Sequence, residues 1–176
     1  MRRRSLLAGA GGLGFLGVGA VAHFGRDRLQ STDGEEPDHD PVTLSVVEPA
    51  GSDLETITVP DPGRITFVDL FATTCTTCQQ QMPDLAKAHE QLGDEVTFVS
   101  ITSEDPRIAD DDTVTDWWET YEGTWPAARD AEFSFTRYYR QATPTAILFD
   151  SEGLIRWENT GRKTTEEVVD RVTEIQ

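Results

Sequence analysis

The chain places its only two cysteines, Cys75 and Cys78, directly after a run that reads ITFVDLF from Ile65 to Phe71. Such an unbroken β-branched and aromatic run, without polar alternation, predicts a central strand buried on both faces. Cys78 to Leu92 has helical composition, interrupted only by Pro83, which removes a backbone donor and is expected to kink the helix. A buried strand that runs into a helix, with a cysteine pair at the junction, confines the chain to the α/β folds.

The other segments fill in that class. Val42–Val47 and Glu55–Val59 alternate apolar and polar residues around Gly51-Ser52, and predict a short hairpin ahead of the central strand. Val96–Ile101 (VTFVSI) predicts a second buried strand. Asp111–Glu122 carries Val114, Trp117, Trp118 and Tyr121 at helical spacing, and predicts an amphipathic helix on a crossover. Phe133–Arg140 reads as a short helix. Thr145–Phe149 and Leu154–Trp157 read as strands joined through Asp150-Ser151-Glu152-Gly153, a turn that ends in glycine. The last helix opens on Thr164-x-x-Glu167, a capping box, and turns Val168, Val172 and Ile175 to one face. The expected order is β-β-β-α-β-α-α-β-β-α, an α/β/α sandwich around a mixed sheet.

At 176 residues the chain suits one domain. Its formal charge is −17, and thirteen of the fifteen basic residues are arginines, leaving Lys87 and Lys163 as the lysines. Self-repulsion of that size is screened in concentrated salt, so the surface suits a halophile. No basic stripe is present to neutralise phosphates, which argues against a nucleic-acid partner.

Residues 1–22 (MRRRSLLAGAGGLGFLGVGAVA) read as an address. Three arginines precede an uncharged, glycine-diluted run at residues 5–22, and Arg3-Arg4-Ser5-Leu6-Leu7 resembles a twin-arginine export signal. Ala20-Val21-Ala22 offers a cleavage site. Retained instead, residues 5–22 would reach roughly 27 Å as a helix, barely enough to anchor the chain in a bilayer. Either outcome places the domain outside the cytoplasm, where disulfides persist. Residues 23–41 are polar and acidic, and read as a flexible tether; residues 42–176 are the folded domain.

The cysteine spacing narrows the chemistry. A disulfide that closes so short a loop gains little chain entropy, which disfavours a structural staple. A metal site needs about four ligands. The imidazoles are His23, His39 and His89, and the last lies roughly 16 Å along the helix from Cys78. No metal is expected. A redox couple fits better: Cys75 falls at the helix cap, where unpaired amide donors and the dipole stabilise a thiolate, and Cys78 falls one turn inside, as a resolving thiol should.

Strand, CxxC, Pro83 five residues on, and a distal Thr143-Pro144-Thr145 before a strand together resemble the thioredoxin superfamily, over about 130 residues from Val42. The resemblance implies a thioredoxin fold with an extra N-terminal β-hairpin and a helical insertion. It implies that Asp69, six residues before Cys75, is a buried carboxylate exchanging a proton with the resolving thiol. It implies a cis Thr143-Pro144 bond opposite the cysteines, with Thr74, Thr143 and Pro144 bordering the substrate. Within the superfamily the chain is similar to the exported TlpA/ResA-like branch, allied to cytochrome c maturation. That branch implies protein thiols and disulfides as substrates, a membrane or exported electron donor, and no cofactor beyond the redox-active Cys75-Cys78 pair.

Departures from the pattern leave alternatives open. Thr74 replaces the usual tryptophan, Thr76-Thr77 matches no familiar dipeptide, and Gln81 stands where some reductive relatives carry glutamate. Reductase is the expected direction, against an oxidase of exported proteins or a non-enzymatic binding module. A copper chaperone needs CxxxC and a distal histidine; a peroxidase needs a different cysteine motif. Trp117, Trp118, Tyr121 and Trp125 are expected to pack in the core, and Glu104-Asp105 and Asp110-Asp111-Asp112 to lie in solvated loops.

Overall fold

The computed structural model describes residues 40–48, 50–51, 53–139 and 142–176. The expected address at 1–22, and the tether at 23–41 apart from Asp40 and Pro41, lie outside the described residues. In chain order the elements are β1 (Val42–Glu48), β2 (Thr56–Val59), β3 (Ile65–Phe71), α1 (Thr76–Leu92), β4 (Val96–Thr102), α2 (Asp111–Thr120), β5 (Ala127–Arg129), β6 (Thr145–Phe149), β7 (Ile155–Thr160) and α3 (Thr165–Thr173).

One sheet in the order β2-β1-β5-β4-β3-β6-β7 joins all seven strands. β3, β4 and β5 are parallel, with α1 and α2 as their crossovers, and the remaining pairs are antiparallel. β3 therefore lies inside the sheet, and its uninterrupted apolar character follows from burial on both faces. Phe67 and Phe71 point to one face, where they meet Met82 and Leu85 of α1, Trp117 and Trp118 of α2, and Val168 and Val172 of α3. Val68 and Leu70 point to the other, under Phe135 and Tyr139 of the segment between β5 and β6. Asp69 follows the alternation onto the helix face, which fixes its surroundings before any contact is considered.

Local signals account for the element ends. Thr164 caps α3 by accepting the Glu167 amide at 3.2 Å, as the capping box predicts. Gly93 ends α1 at φ 57°, a left-handed conformation that glycine adopts without a Cβ clash. The β6–β7 turn forms around Asp150, whose carboxylate accepts from the Glu152 and Leu154 amides, with Gly153 at φ 82°.

Two elements differ from the expectation. β5 has only Ala127-Ala128-Arg129, with no β-branched residue to signal it, yet it pairs with both β1 and β4 and ties the N-terminal hairpin into the sheet. The expected helix from Phe133 to Arg140 is a single 3₁₀ turn, Thr136–Tyr138. Phe133 adopts a left-handed φ of 54°, which ends any helix there. The buried Asp130 carboxylate takes the amides of Ser134, Phe135 and Thr136 and the hydroxyls of Ser134 and Thr136. Burial pushes the Asp130 carboxyl upward in pKa; these donors more than offset that, and the net shift is downward.

No helix among the described residues is long and apolar enough to cross a membrane.

Candidate active site

The site grows out of the C-terminal end of β3. After Phe71 the chain turns, with the Cys75 amide donating to the Ala72 carbonyl at 3.0 Å, and Cys75 adopts an extended conformation as the N-cap of α1. Its Sγ accepts from the Cys78 amide at 3.1 Å, so the sulfur occupies the position where a helix start favours negative charge. Cys75 and Cys78 form a disulfide across a Cα–Cα distance of 5.2 Å. The two sulfurs differ in access. Cys75 is half-buried beside the exposed Thr74, whereas Cys78 is 1% exposed and packs into the core.

Asp69 is 1% exposed. It stands beside Ser100 of β4 and Ala146 of β6 in the sheet register, on the face that α1 covers. Its Oδ1 accepts from Gln81 Nε2 at 2.7 Å and its Oδ2 from Ser100 Oγ at 3.2 Å. Burial pushes its carboxyl from 3.8 to about 7, against the opposing pull of those hydrogen bonds and of the Lys163 ammonium. A carboxyl at that level can gain or lose a proton near neutral pH. Gln81 lies on α1 one turn beyond Cys78, and helical spacing puts both on one face.

The Thr143–Pro144 bond is cis, Thr143 is exposed, and Pro144 is buried. Thr145, the next residue, pairs with Leu70 at the cysteine end of β3, and Thr143 lines a small cavity with Phe71, Ser103 and Ala142. A roomier cavity of about 480 Å³, bordered by Arg64, His89 and Thr97, opens at the opposite end of the sheet and has no part in this site.

Sequence reasoning missed Glu104. It is not a solvated loop residue: its carboxylate accepts from the Thr73 amide at 2.8 Å, the Thr73 hydroxyl at 3.0 Å and the Thr102 hydroxyl at 3.2 Å. Gln79 Nε2 holds the Thr73 carbonyl from the other side at 3.3 Å. The backbone two residues before the nucleophile is thereby clamped. Arg129 of β5, nearly buried, extends the clamp by donating to the carbonyls of Glu104 and Ala109 and to the Asp111 carboxylate. Asp110 also has a fixed task, capping α2 through the Thr113 amide at 2.9 Å. The signal that could have found Glu104 was lost among the many carboxylates of this chain.

Hydrogen bonds to a charged acceptor contribute about 1.5–3 kcal/mol each, so Glu104→Ala is expected to cost about 2 kcal/mol locally. Hydrogen exchange at the Thr73 amide should then accelerate on the order of thirtyfold, while amides in the centre of β3 keep their protection. Unchanged exchange at Thr73 would show that the clamp is idle.

The aromatic residues pack as expected. Phe71 stacks on Trp117 at 5.0 Å, and Trp118 meets Trp125 edge to face at 5.2 Å while donating to the Trp125 carbonyl. Gly123 sits against the Trp118 indole so closely that a Cβ would come within 2.2 Å of it. Among the described residues, no three His, Cys, Asp or Glu side chains gather to hold a metal.

The sequence pattern of the family described as Redoxin matches residues 37–173, which include every strand of the sheet and both cysteines. The chain belongs to the Redoxin family. This Redoxin chain is 22% identical over 157 residues to the thioredoxin-like protein YneN of Bacillus subtilis, covering 89% of this chain and 88% of that protein. Its fold is similar to that of a DsbF homologue from Corynebacterium diphtheriae, with a TM-score of 0.67 and 18% identity over 81% of this chain and 88% of the other. It is also similar to a secreted Mycobacterium tuberculosis disulfide oxidoreductase homologous to E. coli DsbE, with a TM-score of 0.62 and 17% identity over 76% of this chain and 95% of the other. The fold is the thioredoxin fold. With its CxxC disulfide at positions 75 and 78, this Redoxin chain is a thioredoxin-like disulfide oxidoreductase.

Proposed function

We propose that this chain is an exported disulfide reductase that acts on proteins outside the cytoplasm. The observation that carries the reading is the asymmetry of the pair: a reachable Cys75 capping the helix, and a buried Cys78 on the face that holds Asp69. In the reduced protein the Cys75 thiolate attacks a substrate disulfide, forming a mixed disulfide and releasing one substrate thiolate. Cys78 then gives its proton to the Asp69 carboxylate and attacks Cys75 Sγ. The second substrate thiolate leaves, the substrate has gained two electrons, and the Cys75-Cys78 disulfide remains. A dithiol donor, membrane-bound or exported, must restore the pair.

Thr74, Thr143 and cis-Pro144 border the reacting sulfur and receive the substrate backbone. The exposed Thr74 puts a small polar side chain where thioredoxins carry a tryptophan indole. Export is supported by the leader pattern at 1–22, with residues 5–22 as the membrane anchor if retained. The M. tuberculosis neighbour's description as secreted points the same way. The reducing direction and a place in cytochrome c maturation rest on resemblance to the TlpA/ResA-like branch. The arginine-rich acidic composition suits work in concentrated salt.

The test is the equilibrium reduction potential of the Cys75-Cys78 pair, titrated against glutathione in multimolar salt. A reductase gives a value near or below about −250 mV, whereas a value above about −150 mV would make the chain an oxidant of exported proteins.

A further inference from the structure

A chain with thirteen arginines and two lysines uses arginine almost wherever a cation serves. Lys87 is exposed on α1, but Lys163, in the connection between β7 and α3, is 2% exposed. Its Nζ donates to the Gly161 carbonyl at 2.6 Å and lies 5.6 Å from the centre of the Trp157 ring. Its backbone amide donates to Gln81 Oε1 at 3.2 Å. Gln81, itself fully buried, then turns its Nε2 to Asp69.

This arrangement fixes the direction of every bond around Asp69. A primary amide has one oxygen and one NH₂ group. With Lys163 N–H on the oxygen of Gln81, the NH₂ faces Asp69, and a flip would set donor against donor at Lys163. The same logic holds on the other side. An indole only donates. Trp125 Nε1 donates to Ser100 Oγ at 2.9 Å, so that oxygen accepts, and the Ser100 hydroxyl proton is directed at Asp69. Toward the Asp69 carboxylate both hydrogen-bonding neighbours are therefore donors, each bonded in turn by a group from a distant part of the chain.

A protonated Asp69 finds no acceptor on Gln81, whose oxygen is taken by the Lys163 amide, and Gln81 and Ser100, as donors, favour the carboxylate over the acid. From the packed elements, Asp69 faces the neutral Gln81 of α1, Ser100 of β4, Ala146 of β6 and the cation Lys163.

We propose that Gln81 held by the Lys163 backbone amide, and Ser100 bonded by Trp125, are positioning residues that present donors to Asp69 and favour its carboxylate, the form able to take up a proton. The inference rests on the reading of Asp69 as the proton acceptor, and gives the glutamine at position 81 a task that a second ionisable carboxyl would not perform in the same way.

The experiment is a pH titration of the Asp69 carboxyl by ¹³C NMR in the oxidised and reduced protein, for wild type, Gln81→Met, Lys163→Met and Trp125→Phe. The wild-type midpoint is expected near 7. Losing the Gln81 donor should move it upward by about one to two pH units. Lys163→Met keeps the backbone amide on Gln81 and removes only the ammonium, so it serves as the electrostatic control and should also move the midpoint upward. Trp125→Phe touches nothing on Asp69 directly and should shift the midpoint upward by a few tenths of a unit or more, as Ser100 regains its freedom to rotate. A purely structural role would lower the melting temperature and leave the midpoint in place. A wild-type midpoint near 7 that neither Gln81→Met nor Trp125→Phe moves would overturn the positioning proposal alone. A wild-type midpoint near 4 would overturn the acceptor reading beneath it.

Discussion

Replacing Asp69 with asparagine should lower the oxidised protein's stability by about 1 kcal/mol at pH 4 and raise it by about 3 kcal/mol at pH 9. The sign is the reverse of that for an ordinary salt-bridged aspartate. Burial lifts the folded-state carboxyl from 3.8 to about 7, so between those values the folded protein holds a proton that the unfolded chain has released. Stability then falls as pH rises through that window and stays low above it. Three units correspond to about 4 kcal/mol; an asparagine returns less, because its amide sets a donor against one of the two donors that now bond the carboxylate. Urea unfolding of wild type and variant across pH 4–9 in high salt isolates the effect, since other titrating groups cancel in the difference. With Asp69 in its proposed role as acceptor of the Cys78 proton, the same substitution should slow release of a mixed disulfide by about a hundredfold near neutral pH. A difference in stability that does not change with pH would show that Asp69 is not a buried titrating group.

Cys75→Ala should abolish disulfide exchange, with a loss of at least about a thousandfold, whereas Cys78→Ala should keep the first attack and stop after it. The distinction follows from access and from the reaction order: Cys75 lies at the surface of the helix cap, and Cys78 reaches a substrate only through Cys75. The Cys78 variant should accumulate covalent complexes with disulfide-bearing proteins, visible on non-reducing gels and released by dithiothreitol. Either substitution removes the disulfide, but closing so short a loop contributes only about 2 kcal/mol in the chain-entropy account. Lost activity with a retained fold is therefore attributable to the sulfur itself. Full function in both variants would favour the binding-module reading.

The features legible in the sequence are those written locally. Ile65–Phe71 announces a buried strand because both its faces are covered, and the single carboxylate inside it stands out for the same reason. Cys75, Cys78, Pro83 and Thr143-Pro144 form an ordered set of signals that needs no tertiary information. What escaped notice depends on partners far along the chain. β5 is a strand because β1 and β4 pair with it, and Ala127-Ala128-Arg129 carries no such preference alone. Glu104 clamps Thr73 across thirty-one positions, in a chain so acidic that one more carboxylate attracts no attention. Lys163 is buried among polar neighbours in a connection whose sequence looks like surface. Gln81 was read for the glutamate it replaces, and only its contacts with Asp69 and Lys163 give it a role of its own. The short helix expected at Phe133 gave way because Asp130 gathers the amides that a helix would have used.

The central claim is that two cysteines three positions apart have been given unequal roles by the helix start and the buried carboxylate. Identifying the first cysteine alkylated in the reduced protein tests this most directly, using a substoichiometric pulse of iodoacetamide near pH 7 in multimolar salt and locating the label by peptide mass spectrometry. The label should fall overwhelmingly on Cys75, with Cys78 protected until the protein is unfolded. Equal labelling, or a preference for Cys78, would contradict the account.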